Sequence, residues 1–299
     1  MPNRKYAYLI FVLALGLAAA PYTAAPAFPP ECLRFEGVPA KAEDLPPSVF
    51  SDLGAWHAYA LPGPTDAKWR GGFAGPFLLT HRNGVWPGPC LAQLVITDLD
   101  AGRVLDPAEA DFHAACPPGR LEQRLHWEAN GITLEMELVF VSGRSSLIRV
   151  VLRNGRKTSC RLGLAWRGTL FPGQASVQPA PDGVTLRFPD PAACGALVLP
   201  EAAISDPEIG PSGYRLALAP RTLKTGESRE TALGHGFAFS DAELARERAA
   251  LRSRLDRPAA SFEENRRRWD GYLRRLDRAL LPCYRREPYR GLALKCLQT

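Results

Sequence analysis

The 299-residue sequence lacks the short motifs by which several common enzyme classes are recognised. It contains no glycine-rich phosphate loop, no His-Glu-x-x-His pair and no Gly-x-Ser-x-Gly turn. These motifs serve nucleotide binding, zinc-dependent proteolysis and hydrolysis by a serine nucleophile. The sequence therefore supports none of these three functions, and we expect no cofactor and no metal ion.

Positive charge is concentrated in one segment instead of being spread over a face. The formal net charge is +6, but much of the excess arginine lies after residue 245. Those arginines do not alternate with aromatic residues, as basic residues do on a nucleic-acid-binding face. We therefore expect no nucleic-acid partner.

Long hydrophobic runs are absent beyond the N-terminus. The apolar run of residues 7–20 follows Arg4 and Lys5 and precedes a candidate cleavage site at Ala25-Pro26-Ala27. It is shorter than the roughly 20 residues of a membrane span, and the pattern is typical of a secretory signal peptide. We predict a signal peptide at residues 1–27, a periplasmic or secreted protein, and no stable membrane insertion after cleavage. An uncleaved anchor is the alternative.

None of the cysteines forms a Cys-x-x-Cys pair, which argues against a zinc or redox site. Export would permit disulfides, and the odd number of cysteines leaves at least one thiol unpaired. We expect one or two disulfides within residues 90–194. The alternative is that most cysteines are small buried hydrophobic residues. The seven are Cys32, Cys90, Cys116, Cys160, Cys194, Cys283 and Cys296.

Proline and glycine are plentiful, with 28 and 26 residues, and they separate about nine short strand patterns. No helical pattern intervenes, so the sequence predicts a mainly β fold, a large antiparallel β-sandwich over residues 28–239. The strand patterns are residues 91–99, 121–129, 132–140, 146–153, 160–166, 184–188, 196–199, 214–219 and 231–239.

The strand alternation is clearest around Asn130-Gly131, a strong short signal for a β-hairpin. After this turn, residues 132–140 are apolar at every second position, while Glu135 and Glu137 point the other way. A sheet with one face on a core shows this pattern. We therefore expect Glu135 and Glu137 to face solvent.

A helical period replaces the strand period at Ser240. Ser240 and Glu243 form a capping box for a first helix that ends before Pro258. A second capping box, from Ser261 to Glu264, predicts the start of the next helix.

The second helix carries an apolar stripe and is otherwise covered by arginines, which we expect on a solvated face. A third helix begins near Pro288, and its pattern is cut off at Thr299. We therefore expect that the chain is incomplete. The stripe is Phe262, Trp269, Tyr272, Leu273, Leu276 and Leu280.

Residues 51–76 have no regular period and combine large rings with two aspartates, five glycines and three prolines. This composition favours a shaped loop. Aromatic rings stack on sugars, and aspartate and histidine bond to hydroxyl groups. The alternative is a surface excursion whose rings plug the edge of the core. The predicted substrate-binding residues are Asp52, Trp56, His57, Trp69 and Phe73.

No residue is assigned a catalytic role. Acid–base hydrolysis of a glycosidic bond needs two carboxylates that flank it. Asp52 and Asp66 are the carboxylates of residues 51–76, and nothing in the sequence places them face to face.

Two segments of residues 51–76 are Ser51-Asp52-Leu53-Gly54-Ala55-Trp56-His57 and Gly71-Gly72-Phe73-Ala74-Gly75-Pro76. Both resemble the N-terminal region of bacterial α-glucosidases of glycoside hydrolase family 63. The resemblance continues in order at Arg257-Pro258, at Arg267-Arg268-Trp269-Asp270-Gly271-Tyr272-Leu273 and at Leu292-Ala293-Leu294-Lys295-Cys296-Leu297-Gln298-Thr299. The last segment is similar to the start of the first helix of that family's (α/α)₆ barrel.

We therefore predict three parts: the signal peptide at residues 1–27, a sandwich at residues 28–239 and, as the resemblance implies, linker helices with the first barrel helix at residues 240–299. In that family the barrel carries the carboxylates of an inverting hydrolysis of α-glucosidic bonds. No position of this sequence corresponds to that pair, and the barrel is expected after Thr299. The resemblance therefore implies an oligosaccharide substrate for the parent enzyme and no activity for this chain alone, which we expect to be a monomer.

Two other hypotheses remain open. A free-standing carbohydrate-binding sandwich would bind sugar and would lose that binding in Trp56→Ala. A purely structural domain would bind no sugar and would leave Trp269, Tyr272 and Leu276 exposed and prone to aggregation.

Overall fold

The structure is a computed structural model that describes residues 33–45, 48–79, 84–189, 192–200 and 204–298. The predicted signal peptide and Cys32 lie outside these residues. The described residues form two stacked sheets followed by three α-helices. This confirms the predicted fold class, a mainly β sandwich with helices after it.

The first sheet has seven strands in the order β1-β2-β3-β9-β14-β13, with β4 beside β3. Its neighbours are antiparallel except β2 and β3, which are parallel. Its strands are β1 (His57–Ala60), β2 (Ala74–Leu78), β3 (Cys90–Asp98), β4 (Arg103–Val104), β9 (Cys160–Thr169), β13 (Ile204–Gly210) and β14 (Gly213–Leu223).

The second sheet has eight antiparallel strands in the order β10-β11-β12-β15-β8-β7-β6-β5. They are β5 (Asp111–Ala115), β6 (Leu121–Trp127), β7 (Ile132–Ser142), β8 (Ser145–Asn154), β10 (Ser176–Ala180), β11 (Gly183–Phe188), β12 (Ala193–Val198) and β15 (Ser228–Ala238).

The core between the sheets is built by the alternation that the sequence shows. In β7 the apolar positions from Ile132 to Phe140 are buried, and Leu162 and Trp166 of β9 are buried opposite them in the same cluster. The hairpin at Asn130-Gly131 is confirmed, since β6 and β7 pair from Trp127 and Ile132 onward. Gly131 takes φ +59°, a left-handed conformation that glycine adopts without strain.

Three helices follow the sheets: α1 (Asp241–Leu255), α2 (Pro258–Ala279) and α3 (Tyr289–Gln298). The predicted cap of α1 is confirmed, because the Ser240 hydroxyl accepts a hydrogen bond from the Glu243 amide at 3.3 Å. The prediction of a helix near residue 288 is also confirmed.

The predicted start of the second helix is wrong. This helix begins at Pro258, because proline fits the first helical position, where its missing N–H is not needed. Ser261 is therefore inside the helix and buried, where its hydroxyl accepts from Arg254 at 3.5 Å.

The outer face of the eight-stranded sheet is covered by α1 and by the beginning of α2. Leu244, Leu251 and Phe262 from these helices pack on outward residues of the sheet such as Val139 and Leu147. The second sheet is therefore buried on both faces over this area.

This cover also makes the prediction for Glu137 wrong. Glu137 lies on the outward face of β7, but its carboxylate is buried and pairs with Arg149 of β8 at 2.6 Å and Arg266 of α2 at 3.1 Å. Glu135, two residues earlier, is partly exposed and pairs with Arg153 at 3.3 Å.

The prediction of a loop over residues 51–76 is wrong for the parts of this stretch that form β1 and the start of β2. β1 lies wholly within this stretch and is buried, and it pairs with β2 at the end of the first sheet. The remainder contains a short 3₁₀ turn, Ala67–Trp69, and irregular chain.

The prediction of disulfides within residues 90–194 is wrong. Cys90, Cys116, Cys160 and Cys194 are free thiols, all buried. Cys90 pairs with Thr169 at one end of β9 while Cys160 begins the other end, and Cys194 lies in the second sheet. These cysteines are small buried hydrophobic residues, and burial raises the pKa of Cys90 to about 12.

No helix among the described residues is long and apolar enough to cross a membrane.

Candidate functional site

Asp52 is held by the second helix. Its carboxylate accepts two hydrogen bonds from the Arg268 guanidinium, at 3.0 and 2.7 Å, and one from the Trp269 indole N–H at 2.8 Å. Arg268 also donates to the Asn265 side chain at 2.6 Å. A bidentate pair of this kind fixes both partners in position. Asp52 therefore fastens the turn before β1 to the middle of α2.

Trp269 is seated against Gly119 in the loop between β5 and β6. Asn265 donates to the Gly119 carbonyl at 3.0 Å, and a Cβ built on Gly119 would lie 1.9 Å from the Trp269 ring. Gly119 also takes φ +77°. We call the contacts among Asp52, Gly119, Asn265, Arg268 and Trp269 the α2 anchor. It buries Trp269, which the structural-domain hypothesis had left exposed.

Trp56 forms an aromatic stack at the end of the sandwich. Its ring lies 4.5 Å from that of Phe239, at an interplanar angle of 24°. Phe239 follows β15 and is 51% exposed, while Trp56 is partly buried. An exposed ring supported from behind by a second ring is a surface on which a sugar ring can stack.

His57 lies beside this stack but inside the core. Its ring centroid is 4.7 Å from that of Phe237 and 5.0 Å from that of Phe140, and neither ring nitrogen has a hydrogen-bond partner among the described residues. Burial, with a smaller contribution from His235, lowers the pKa of His57 to about 3. His57 is therefore neutral at neutral pH.

A short buried chain of polar groups adjoins His57. The Ser146 hydroxyl donates to the Tyr59 hydroxyl at 3.1 Å, and the Tyr59 hydroxyl lies 2.8 Å from His235 Nδ1. Burial lowers the pKa of His235 to about 3 and raises that of Tyr59. The neutral His235 ring carries one proton, and its tautomer decides whether Nδ1 accepts from the Tyr59 hydroxyl or donates to it. The sequence reasoning missed Tyr59 and His235, although each alternates with small residues along its strand.

Trp69 and Phe73 lie elsewhere. Trp69 ends the 3₁₀ turn and is half-buried, with the Lys68 ammonium 5.2 Å from its ring. Phe73 is buried in the main core. Among the described residues, no hydrogen bond, ion pair or ring contact joins either residue to Asp52, Trp56 or His57. The structure thus brings two of the five predicted site residues, Trp56 and His57, into ring contact, while Asp52 is bound to α2 instead. Sugar binding by any of the five stays a prediction.

Metal-ligating side chains are not clustered in the described part of the chain, where no group of three or more His, Cys, Asp or Glu residues could hold an ion.

Residues 40–192 match the model of the family described as "Glucosidase YgjK, N-terminal". Among solved structures, a putative kojibiose phosphorylase from human microbiome is similar at a TM-score of 0.58 and 9% identity, over 84% of this chain and 39% of that chain. A bacterial glucoamylase complexed with acarbose has a TM-score of 0.46 and 11% identity, over 81% of this chain and 40% of that one. A galactose mutarotase-like protein from Lactobacillus casei ATCC 334 has a TM-score of 0.44 and 10% identity, over 64% of this chain and 99% of that one.

At 9% identity the phosphorylase structure shows the fold alone, and the chain spans about two fifths of the length of that chain. The family match is more specific, because it extends over just over half of the 299 residues. It includes β1, the Trp56 region and most strands of both sheets. The resemblance to the N-terminal part of a glucosidase is confirmed at this level, while membership of family 63 stays a prediction. The chain belongs to the family of glucosidase YgjK N-terminal domains.

Proposed function

We propose that this chain is the N-terminal domain of an exported α-glucosidase of glycoside hydrolase family 63, which hydrolyses oligosaccharides with inversion. In this proposal the domain supplies no catalytic carboxylate and is inactive alone. It holds and orients the catalytic part of the enzyme. The family match supports the glucosidase assignment, and the resemblance of the motifs at residues 51–76 and 257–299 supports family 63.

The observation that carries the structural role is the apolar surface at the end of α2 and on α3. Leu281 and Leu292 are 62% and 61% exposed, and the rings of Tyr284 and Tyr289 are exposed with them. A cluster of large apolar side chains in water is typical of a surface that packs against another part of a protein. We call these four residues the helix-end surface.

The helices that carry the helix-end surface are attached to the sandwich by ion pairs and by packing in the core. Arg290 of α3 pairs with Asp277 of α2 at 3.1 Å, and Leu294 of α3 is buried in the main core cluster. The α2 anchor and the Glu137–Arg266 pair then fix α2 to the sandwich. Helices attached in this way suit a domain that orients the catalytic part of the enzyme.

The test of this proposal is an assay of the full chain on maltooligosaccharides and on an aryl α-glucoside. We expect no hydrolysis, because an inverting enzyme needs two carboxylates about 6.5–9.5 Å apart around a water molecule, and the proposal places them outside this chain. Hydrolysis by the full chain above the rate of a chain-free control would overturn the proposal.

Two further measurements check its other parts. Reading the DNA past the codon for Thr299 should show an open frame that encodes barrel helices, and a stop codon there would contradict the placement of the carboxylates.

Export predicts that the N-terminal residues up to about Ala27 are removed during secretion, which mass spectrometry of the mature protein would show. An intact N-terminus on cytoplasmic protein would contradict export.

A second candidate function, non-catalytic sugar binding, is favoured by the Trp56–Phe239 stack. It predicts retardation of the full chain in affinity electrophoresis through a maltooligosaccharide gel, with the retardation lost in Phe239→Ala. Tyr284→Ala, which removes an exposed ring of the helix-end surface, is the matched control and should keep it. If the unmodified chain is not retarded, sugar binding is contradicted and the structural role is the remaining candidate function.

A further inference from the structure

A separate cavity opens at the side of the sandwich, between β3 and the 3₁₀ turn at Ala67–Trp69. Its volume is about 350 Å³, which is within the range of small-molecule sites. We call it the edge cleft. Its polar and aromatic lining includes Lys68, Arg70, Gln93, Asp106, Trp127 and Arg167.

Gln93 organises the edge cleft. This side chain is 2% exposed, and its amide N–H₂ donates to the carbonyls of Lys68 at 2.7 Å and Arg70 at 2.9 Å. Its amide oxygen accepts from the Arg167 guanidinium at 2.5 Å. Because a buried amide is costly to leave unpaired, this arrangement is specific. One buried residue therefore holds the backbone of Lys68 and Arg70 and the side chain of Arg167 beside one cavity.

The basic residues have no carboxylate to neutralise them. Among the described residues, none of Lys68, Arg70 and Arg167 forms an ion pair. Arg70 lies with its guanidinium 4.5 Å above the Phe112 ring, and its buried Nε–H has no acceptor. The acidic residue of the lining, Asp106, accepts from the Ala108 amide at 2.9 Å in a 3₁₀ turn. The cleft is thus positively charged, which favours an anionic ligand.

The lining also offers an apolar wall. The Trp127 indole N–H donates to the Asp106 carbonyl at 2.7 Å, which fixes the ring in the cleft. Trp127 itself is 3% exposed, so the apolar contact that the C–H groups of a sugar require comes mainly from Val104 of the same lining, which is 58% exposed.

We propose that the edge cleft binds an anionic saccharide of one or two rings, bearing a carboxylate or a phosphate. The anion lies against Arg70 and Arg167, and Gln93 acts as a positioning residue for both. This site does not depend on the proposed glucosidase role, which concerns uncharged glucosides and the helix-end surface, so either proposal can fail alone.

The test is calorimetric titration of the full chain with glucuronate, glucose 6-phosphate, glucose and inorganic phosphate. We expect the two sugar anions to bind at low salt, to weaken in about 0.3 M NaCl, and to bind at least tenfold more tightly than glucose or phosphate. If glucose binds as tightly as its anions, the anion site is overturned. If phosphate alone binds as tightly, the saccharide part is overturned, and absence of all binding overturns the whole proposal.

Variants locate the binding site. Arg70→Gln and Arg167→Gln should each weaken binding by about tenfold or more, the usual effect of losing a hydrogen bond to a charged group. The matched control is Arg161→Gln, since Arg161 is an exposed arginine of β9 that does not line the cleft. Equal affinity in all three variants would overturn the assignment. Lys68 is exposed, so Lys68→Gln should not affect folding. This variant should also weaken binding.

Discussion

At the scale of single residues, two buried histidines make the stability of the sandwich depend on pH. Burial lowers the pKa of His57 and of His235 from 6.5 to about 3. The unfolded chain therefore binds more protons than the folded chain between these values. The contribution to stability is complete above pH 6.5 and is lost as the pH falls toward 3.

We predict that the free energy of unfolding falls by about 1.4 kcal/mol per pH unit for each of these histidines below pH 6.5. Denaturant titrations at a series of pH values would measure this slope. His57→Leu should reduce it by about half, because Leu cannot take up a proton. The control is His113→Gln, at an exposed histidine of β5, and an equal loss of slope in the two variants would contradict the assignment.

The contrast between Trp56 and Asp52 shows what the sequence can predict at this scale. Residue types in residues 51–76 indicated a region of rings and polar groups, and Trp56 does stack with the exposed Phe239. The partner of Asp52, Arg268, lies 216 residues later in the chain. No local pattern contains that information, since it depends on where α2 crosses the end of the sandwich.

At the scale of elements, the position of α2 depends on a glycine in another loop. Gly119→Ala would place a methyl group within the Trp269 ring and would also strain a residue at φ +77°. We predict a loss of about 3 kcal/mol or more in the free energy of unfolding, which combines overpacking with the left-handed conformation.

Gly102→Ala is the matched control for Gly119→Ala. Gly102 has φ +66°, but nothing lies within 4 Å of an added Cβ, so this variant should lose only about 1 kcal/mol. Urea denaturation of both variants gives the difference. Equal losses would mean that the Trp269 contact contributes nothing to the seating of α2.

Periodicity predicted the elements well where the signal was local. The hairpin at Asn130-Gly131, the cap at Ser240 and the inward face of β7 all follow from neighbouring residues. It failed for Glu137, because the alternation of a strand shows which residues share a face but not whether a helix covers that face. It failed for the start of α2 because two start signals, Pro258 and Ser261, lie within one turn of each other.

At the scale of the whole molecule, the helix-end surface should govern behaviour in solution. In contrast to the monomer expected from the sequence, we predict that the full chain self-associates as its concentration rises, because large apolar side chains there are left in water. The double variant Leu281→Glu and Leu292→Glu should lower the associated fraction in sedimentation velocity.

Leu45→Glu is the control for that double variant, since Leu45 is 72% exposed but lies before β1. A single Leu45→Glu change that reduced association as much would show that general charge, and not this surface, is responsible.

The order of the strands within each sheet could not be predicted from the sequence. β9 pairs with β3 and with β14, which are separated from it by dozens of residues, and β15 returns to pair with β8 and β12. Strand patterns show that a sandwich forms, but the order of its strands depends on long-range contacts for which one sequence holds no periodic signal.

The cover that α1 and α2 place over the second sheet has a consequence for synthesis on the ribosome. The last strand ends at Ala238, and the covering residue Phe262 follows about 24 residues later. At roughly 5–20 residues per second, translation leaves the sheet without its full cover for about 1 to 5 s. During that interval the unfinished chain exposes an apolar surface that includes Val139, Leu147 and Ala196. A chaperone that acts on unfinished chains would therefore bind the protein at this stage.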